Sequence, residues 1–221
     1  LMHWMRTINP DLGFDCASER EITEVLPIAG AARIIYAQPC KKSEDIKVAQ
    51  ARGIPITVAD SVQELEKLGN SGWTGSVLVR LLVRDGASKQ PFGKKFGAPA
   101  EWLPKMYDVA RAYKLNMTGY SFHVGSECTA AEQYKMAIAD CATAAQLAKR
   151  FGFGTTTVDI GGGFVPHDAT FKKVAAAIRA AKQEHFQDPA TRWIAEPGRF
   201  LAAPTHTLYT TVIGKKPVWP A

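Results

Sequence analysis

Val158-Asp159-Ile160-Gly161-Gly162-Gly163-Phe164 and Ile194-Ala195-Glu196-Pro197-Gly198-Arg199 are two short apolar runs that each break abruptly into glycine. The first offers three successive backbone amides without side chains. The second adds a carboxylate, a glycine and an arginine. A phosphate needs close backbone approach, N–H donors and a cation, and these two loops supply all three. In a β/α barrel, the loops after the last two strands are where a phosphate usually sits.

The sequence upstream of these loops fits such a barrel. Short runs rich in β-branched or aromatic residues recur at 13–16, 33–37, 54–59, 76–83, 117–124, 155–160 and 192–195. They are mostly apolar on both faces, as buried parallel strands are. Helical signals lie between them. Ser18-Glu19-Arg20-Glu21, Ser61-Val62-Gln63-Glu64 and Thr129-Ala130-Ala131-Glu132 read as capping boxes. The third predicts an alanine-rich helix running to about Arg150 and stopped with the help of Gly152. Further helices are predicted over 101–115, with Pro104 restricting the first turn, and over 169–186. Leu1, Trp4, Met5 and Ile8 are spaced as one apolar helix face, so the chain is expected to begin inside a helix.

Seven strands alternating with helices imply a parallel sheet with right-handed crossovers. No G-x-G-x-x-G follows the first strand, which argues against a nucleotide-binding open sheet. Asp15, His123, Ser126, Asp159 and Glu196 all fall at or just past C-terminal strand ends, where barrel enzymes keep their chemistry.

Composition is that of an ordinary globular protein: 221 residues, 46% hydrophobic and 22% charged. No stretch is long and apolar enough to span a bilayer, and nothing reads as a signal peptide. The net charge of +6 comes from scattered lysine doublets without a nucleic-acid recognition motif. Cys16, Cys40, Cys128 and Cys141 form no C-x-x-C pair, which argues against zinc and suits a reducing cytosol.

Seven segments occur in a characteristic order. They are Gly13-Phe14-Asp15-Cys16-Ala17-Ser18, Arg33-Ile34-Ile35-Tyr36-Ala37-Gln38-Pro39-Cys40-Lys41, Lys95-Phe96-Gly97-Ala98, Ser121-Phe122-His123-Val124-Gly125-Ser126, Asp159-Ile160-Gly161-Gly162-Gly163-Phe164, Ala195-Glu196-Pro197-Gly198-Arg199 and Val212-Ile213-Gly214-Lys215-Lys216. Together they resemble the eukaryotic-type ornithine decarboxylase family, pyridoxal-phosphate enzymes of the alanine racemase-like barrel fold. The likeness runs from about Gly13 to Lys216. It implies a TIM-type (β/α)8 barrel followed by a β-rich domain. Residues 1–210 would hold barrel strands two to eight, and 211–221 the start of the second domain. The first strand, with the lysine that binds the cofactor covalently, is expected outside this chain. So is the rest of the second domain, whose cysteine and aspartate complete the active site across a dimer interface.

The same resemblance assigns roles. Glu196 matches the carboxylate that keeps the pyridoxal ring nitrogen protonated, and His123 the residue that stacks on the ring. These are the candidate catalytic pair. Ser126, Gly161, Gly162, Gly163, Gly198 and Arg199 match the phosphate cradle. Asp15 and Glu21 match acidic residues near the lysine and cofactor, and Arg80 a strand-end arginine. No metal is implied. Three departures stand out: Glu127 replaces the usual glycine beside the phosphate loop, Gln38 replaces asparagine, and Gln90-Pro91-Phe92 replaces a stretch that often holds an arginine. A carboxylate at 127 would face the phosphate charge unless it turns outward.

The implied activity is decarboxylation of L-ornithine to putrescine for polyamine synthesis by a cytoplasmic homodimer. Relatives take arginine, lysine or diaminopimelate. The alternative is an inactive regulatory paralogue that pairs with a decarboxylase or its antizyme, as antizyme inhibitors do. Neither nucleic acid nor membrane is an expected partner.

Overall fold

Strands β1 (Phe14–Cys16), β2 (Ile34–Tyr36), β3 (Ile56–Ala59), β4 (Ser76–Arg80), β6 (Asn116–Ser121), β8 (Thr157–Asp159) and β9 (Arg192–Ile194) form one sheet in that order. The structure is a computed structural model that describes residues 1–205 and 207–215. Every pairing in this sheet is parallel. The near-continuous apolar strands follow from burial on both faces. Ile35, Ile56, Val58 and Leu78 point into the barrel and pack with Ile194. Their neighbours Ile34, Tyr36, Val77 and Val79 point outward into a larger core shared with the helices. Burying each such side chain contributes about 1.5–3 kcal/mol.

The outer layer comprises α1 (Met2–Ile8), α2 (Glu19–Ala29), α3 (Ser43–Ala51), α4 (Val62–Asn70), α5 (Leu103–Ala112), α6 (Ala131–Lys149), α7 (Asp168–His185) and the short α8 (Gly198–Ala202). Two predicted caps form: the Ser18 side chain accepts from the Glu21 amide, and that of Ser61 from the Glu64 amide. Neither box closes reciprocally. The Glu21 carboxylate takes the Ala17 amide instead, and Glu64 is drawn into a buried ion network. The Thr129 box does not form. Ala130 is the N-cap, without a side-chain bond. The cause is β7 (Ser126–Cys128), which pairs antiparallel with β5 (Ser88–Gln90) and keeps the chain extended up to Thr129.

This small two-stranded sheet and α3 are additions to the sequence reading. The runs predicted over 76–83 and 117–124 stop as strands at Arg80 and Ser121, so the residues beyond are free to shape loops at the barrel mouth. The helix predicted over 101–115 opens with a 3-10 turn, Ala100–Trp102, before α5. The predicted N-terminal helix exists, but its apolar face is not covered: Leu1, Trp4 and Ile8 are exposed. The segment at 212–216, matched to the family motif at the start of the second domain, carries no strand over its described part, 212–215. Residues 206 and 216–221, including Lys216, lie outside the described residues. No described helix is long and apolar enough to cross a membrane.

The sheet does not close. Among the described residues β1 and β9 each pair on one side only. A cavity of about 630 Å³ lies between their free edges, lined by Phe14, Asp15, Ile35, Ile56, Ile194 and Glu196 among others. Unpaired edges invite association. The isolated chain is therefore expected to self-associate in light scattering, and Phe14→Lys on the free edge to reduce it. A monodisperse monomer would contradict this expectation.

Candidate active site

The parallel strands all run the same way, so their C-terminal ends gather at one mouth. Asp15 on β1, Arg80 ending β4, Asp159 ending β8, and Glu196 two residues past β9 meet there. The β8–β9 register pairs Asp159 with Ile194, which brings the two glycine loops side by side. The Glu196 amide donates to the Gly161 carbonyl at 2.8 Å. A Cβ built on Gly162 would stand 2.7 Å from the Glu196 carbonyl and 2.9 Å from His123 Nε2. The glycines are therefore required where β6, β8 and β9 release their loops.

The triplet is held from behind. The Tyr134 hydroxyl on α6 donates to the Gly162 carbonyl at 2.9 Å, and the Cys128 amide to the Gly163 carbonyl at 2.8 Å. Gly163 has φ 93°, and a Cβ there would lie 2.4 Å from the Gly125 carbonyl. The amides of Gly162, Gly163 and Arg199 donate to no acceptor among the described residues. The Arg199 side chain is exposed on the first turn of α8, next to Gly198. Ser126 opens β7 directly after Gly125 and is half-buried. Unused amides and a cation are what a phosphate monoester requires. The residues present thus fit the phosphate of pyridoxal phosphate.

His123 follows β6. Its Nδ1 accepts from the Gly125 amide at 3.0 Å, so in the neutral ring Nε2 carries the proton and faces Gly162. Burial, aided by the Arg80 guanidinium, lowers its pKa to about 4, so the ring is neutral at neutral pH. Phe92 packs on it with ring centroids 4.9 Å apart. That contact is organised by Asp85, whose carboxylate accepts the amides of Phe92 and Gly93. The sequence marked Gln90-Pro91-Phe92 only as a departure; its aromatic role appears once the loop is folded.

The carboxylates are electrostatically crowded. Burial raises the pKa of Asp15 to about 7, with Asp159 and Glu21 adding repulsion. Asp15 opens onto the edge cavity, so water reaches it from that side. Burial also raises Glu196 well above the usual carboxylate range, with Asp159 and then Asp15 as like charges. Arg80 is the cation facing this group, and it makes no ion pair within 4.0 Å among the described residues. Its guanidinium sits over the Phe96 ring, 4.7 Å from the centroid, while Asp60 accepts the Gly97 amide nearby. A lowered Arg80 pKa reflects its burial.

Glu127 adopts φ 55°, the left-handed region that suits the glycine it replaces. Its carboxylate turns to Lys89 on β5, 3.1 Å away. It therefore pairs across the two-stranded β5–β7 sheet. Glu21 contacts the Ala17 amide and completes the α2 start.

A parallel barrel sheet carrying an anion cradle and titratable groups at its C-terminal mouth is the cofactor-binding domain of a β/α-barrel enzyme class. The chain belongs to the pyridoxal-dependent decarboxylases, whose pyridoxal binding domain matches residues 2–203. It is 36% identical over 207 residues to a probable ornithine decarboxylase of Dictyostelium discoideum, covering 93% of this chain and 45% of that protein. It is equally identical, over 211 residues, to antizyme inhibitor 2 of Xenopus laevis, covering 93% of this chain and 46% of that one. The crystal structure of arginine decarboxylase from Paramecium bursaria Chlorella virus superposes with a TM-score of 0.86 at 30% identity, covering 90% of this chain and 54% of the other. The chain thus spans about half the length of the curated relatives it matches.

The charge cluster predicts a pH dependence of stability. A carboxyl whose folded-state pKa is raised binds more protons when folded, so its stabilising contribution is complete below the unfolded value and is lost as pH rises through the folded one. Asp15 and Glu196 act this way. His123 acts oppositely, but only between about 4 and its model-peptide value of 6.5. From pH 6.5 to about 8 the melting temperature is therefore expected to fall by a few degrees, and Glu196→Gln to flatten the fall. A rising profile in this window would contradict the assignment.

Proposed function

We propose that these residues form the cofactor-holding barrel of a pyridoxal 5′-phosphate-dependent decarboxylase that converts L-ornithine to putrescine in the cytoplasm. The observation that carries this reading is the junction of two glycine loops, which joins the unused amides of the triplet, beside a neutral His123, to the loop that carries Glu196 and Arg199. In this reading residues 1–210 are the barrel domain and 211–221 lead into a β-rich domain. The protein acts as a homodimer, and antizyme is a candidate partner.

Gly161, Gly162, Gly163, Gly198, Ser126 and Arg199 hold the phosphate. Pyridoxal phosphate, when bound, supplies an electron sink for the electron pair released as carbon dioxide leaves. Glu196 holds a proton at the ring nitrogen, where it strengthens that sink. The uncharged His123 ring packs against the heterocycle without opposing its positive charge. Arg80 balances the carboxylates, including Asp15, that would otherwise repel one another across the mouth.

Lys41 is the buried lysine near this end of the barrel, and its ammonium is fully engaged. It meets Glu64 at 2.9 Å, the Val58 carbonyl at 2.7 Å and the Gln38 carbonyl at 2.9 Å. It is therefore structural, and the lysine that binds the cofactor covalently is assigned to sequence outside this chain. The preference for ornithine rests on Phe14-Asp15-Cys16-Ala17-Ser18 and on relatives named as ornithine decarboxylases. Arginine is the competing substrate, given the viral neighbour. A second reading is a regulatory paralogue, favoured by Glu127 beside the cradle and by the likeness to antizyme inhibitor 2.

Adding pyridoxal phosphate to the 221-residue chain is expected to shift the cofactor's absorbance, with inorganic phosphate competing. Arg199→Ala is expected to weaken binding about tenfold, as loss of one charge-assisted contact does. No carbon dioxide is expected from carboxyl-labelled ornithine with this chain alone. Absence of binding would favour the regulatory reading, and substantial turnover would overturn the assignment of the lysine.

A further inference from the structure

Asp159 has no role in the cofactor site as described above, yet it is its most deeply enclosed charge. It is fully buried at the end of β8. Its Oδ1 accepts the Gly161 amide at 2.9 Å. Its Oδ2 is also buried and has no donor among the described residues. A buried carboxylate oxygen left unpaired costs about 1–3 kcal/mol or more.

The Glu196 carboxyl stands against Asp159 across the Gly161 peptide, which bonds to both residues, and the two side chains act directly on each other. Two ionised carboxylates at that separation repel. The contact becomes a hydrogen bond only when one of them carries a proton. Which one carries it follows from the backbone. Asp159 already receives an amide N–H, which favours its anion, whereas Glu196 has no comparable donor. The geometry is imposed through one residue, because Gly161 gives its N–H to Asp159 and its carbonyl to the Glu196 amide.

We propose that Asp159 and Glu196 form a carboxyl–carboxylate pair in which Asp159 is the fixed anion and Glu196 donates its proton to Asp159 Oδ2. Asp159 is then a positioning residue: it keeps a transferable proton on Glu196 before the ring nitrogen arrives. This rests on the reading of Glu196 as the ring-nitrogen partner. The other charged groups facing the pair are Asp15 on β1, Arg80 on β4 and Arg192 on β9, with Glu21 of α2 reaching Asp15. Burial and the two acids favour the protonated pair, and Arg80 opposes it.

The test is infrared titration of the carboxylic C=O stretch in the cofactor-free chain, together with spectrophotometric binding of pyridoxal phosphate across the same pH range. The native chain is expected to keep a protonated carboxyl band at about pH 8 to 9, above the value of about 7 at which Asp15 ionises. Asp159→Asn preserves the acceptor for Gly161 and offers Glu196 an amide donor that stabilises its anion. Its band is expected to be lost at that pH, with the midpoint lowered by about one pH unit or more. Glu196→Gln should also lose the band, and Asp15→Asn should retain it. Should Asp159→Asn not fold, the position of the native band decides: a carboxyl bonded to a carboxylate absorbs at lower frequency than one without a charged acceptor, and the frequency of an unbonded acid overturns the pair. A band that survives Glu196→Gln, or that disappears with Asp15→Asn, overturns the pair. An unchanged titration in folded Asp159→Asn overturns it too. If the chain binds the cofactor but lacks the band, the pair is refuted while the cofactor site stands. If the band behaves as expected but no cofactor binds, the functional reading is what is lost.

Discussion

Gly161 is the peptide on which the site turns. Its φ of 60° and the 2.2 Å that would separate an added Cβ from the Phe122 carbonyl exclude any side chain. At that close approach it joins three strand ends. Its N–H goes to Asp159 on β8, its carbonyl takes the amide of Glu196 past β9, and its backbone lies against the β6 exit that carries His123. The carboxylates and the neutral imidazole are therefore held by a common backbone contact. Catalytic groups need this kind of fixed support, since small misplacements are costly in rate.

Two buried charge clusters at the same end of the barrel show how differently such groups can be treated. Lys41, Glu64 and Lys67 form a satisfied network in which every polar atom described has a partner, and burial of the Lys41 ammonium is offset by Glu64. That network ties the loop after β2 to α4 and offers nothing to a ligand. At the mouth, by contrast, Asp15, Asp159 and Glu196 face one another with Arg80 as the nearest cation and no close ion pair among the described residues. The raised carboxyls and the orphaned Asp159 Oδ2 are the signature of a site that is complete only with protons or a ligand present.

Variation within the family fold is also physically readable. Glu127 keeps the backbone conformation of the glycine it replaces and diverts its charge to Lys89. The pair is largely exposed, so its contribution to stability is about 1 kcal/mol at most, and its main effect is where the carboxylate points. Phe92 adds an apolar surface against His123.

Much of the architecture was legible in the chain. Buried parallel strands need apolar residues on both faces, so β1, β2, β3, β4, β6, β8 and β9 announced themselves, and the ordered glycine and acidic motifs marked the mouth of the barrel. The Ser18 and Ser61 caps were equally local and equally visible. The Thr129 cap was not decided locally, because the pairing of Ser126–Cys128 with Ser88–Gln90 across a long loop kept the chain extended through Thr129. The role of Asp159, the tilted contact of Phe92 with His123 and the support of Gly162 by Tyr134 likewise depend on residues far apart in sequence. Local patterning settles which segments become strands and helices, since that depends on near neighbours and on burial. Which side chains share a proton or a face is settled only when the sheet brings distant strand ends within hydrogen-bonding distance.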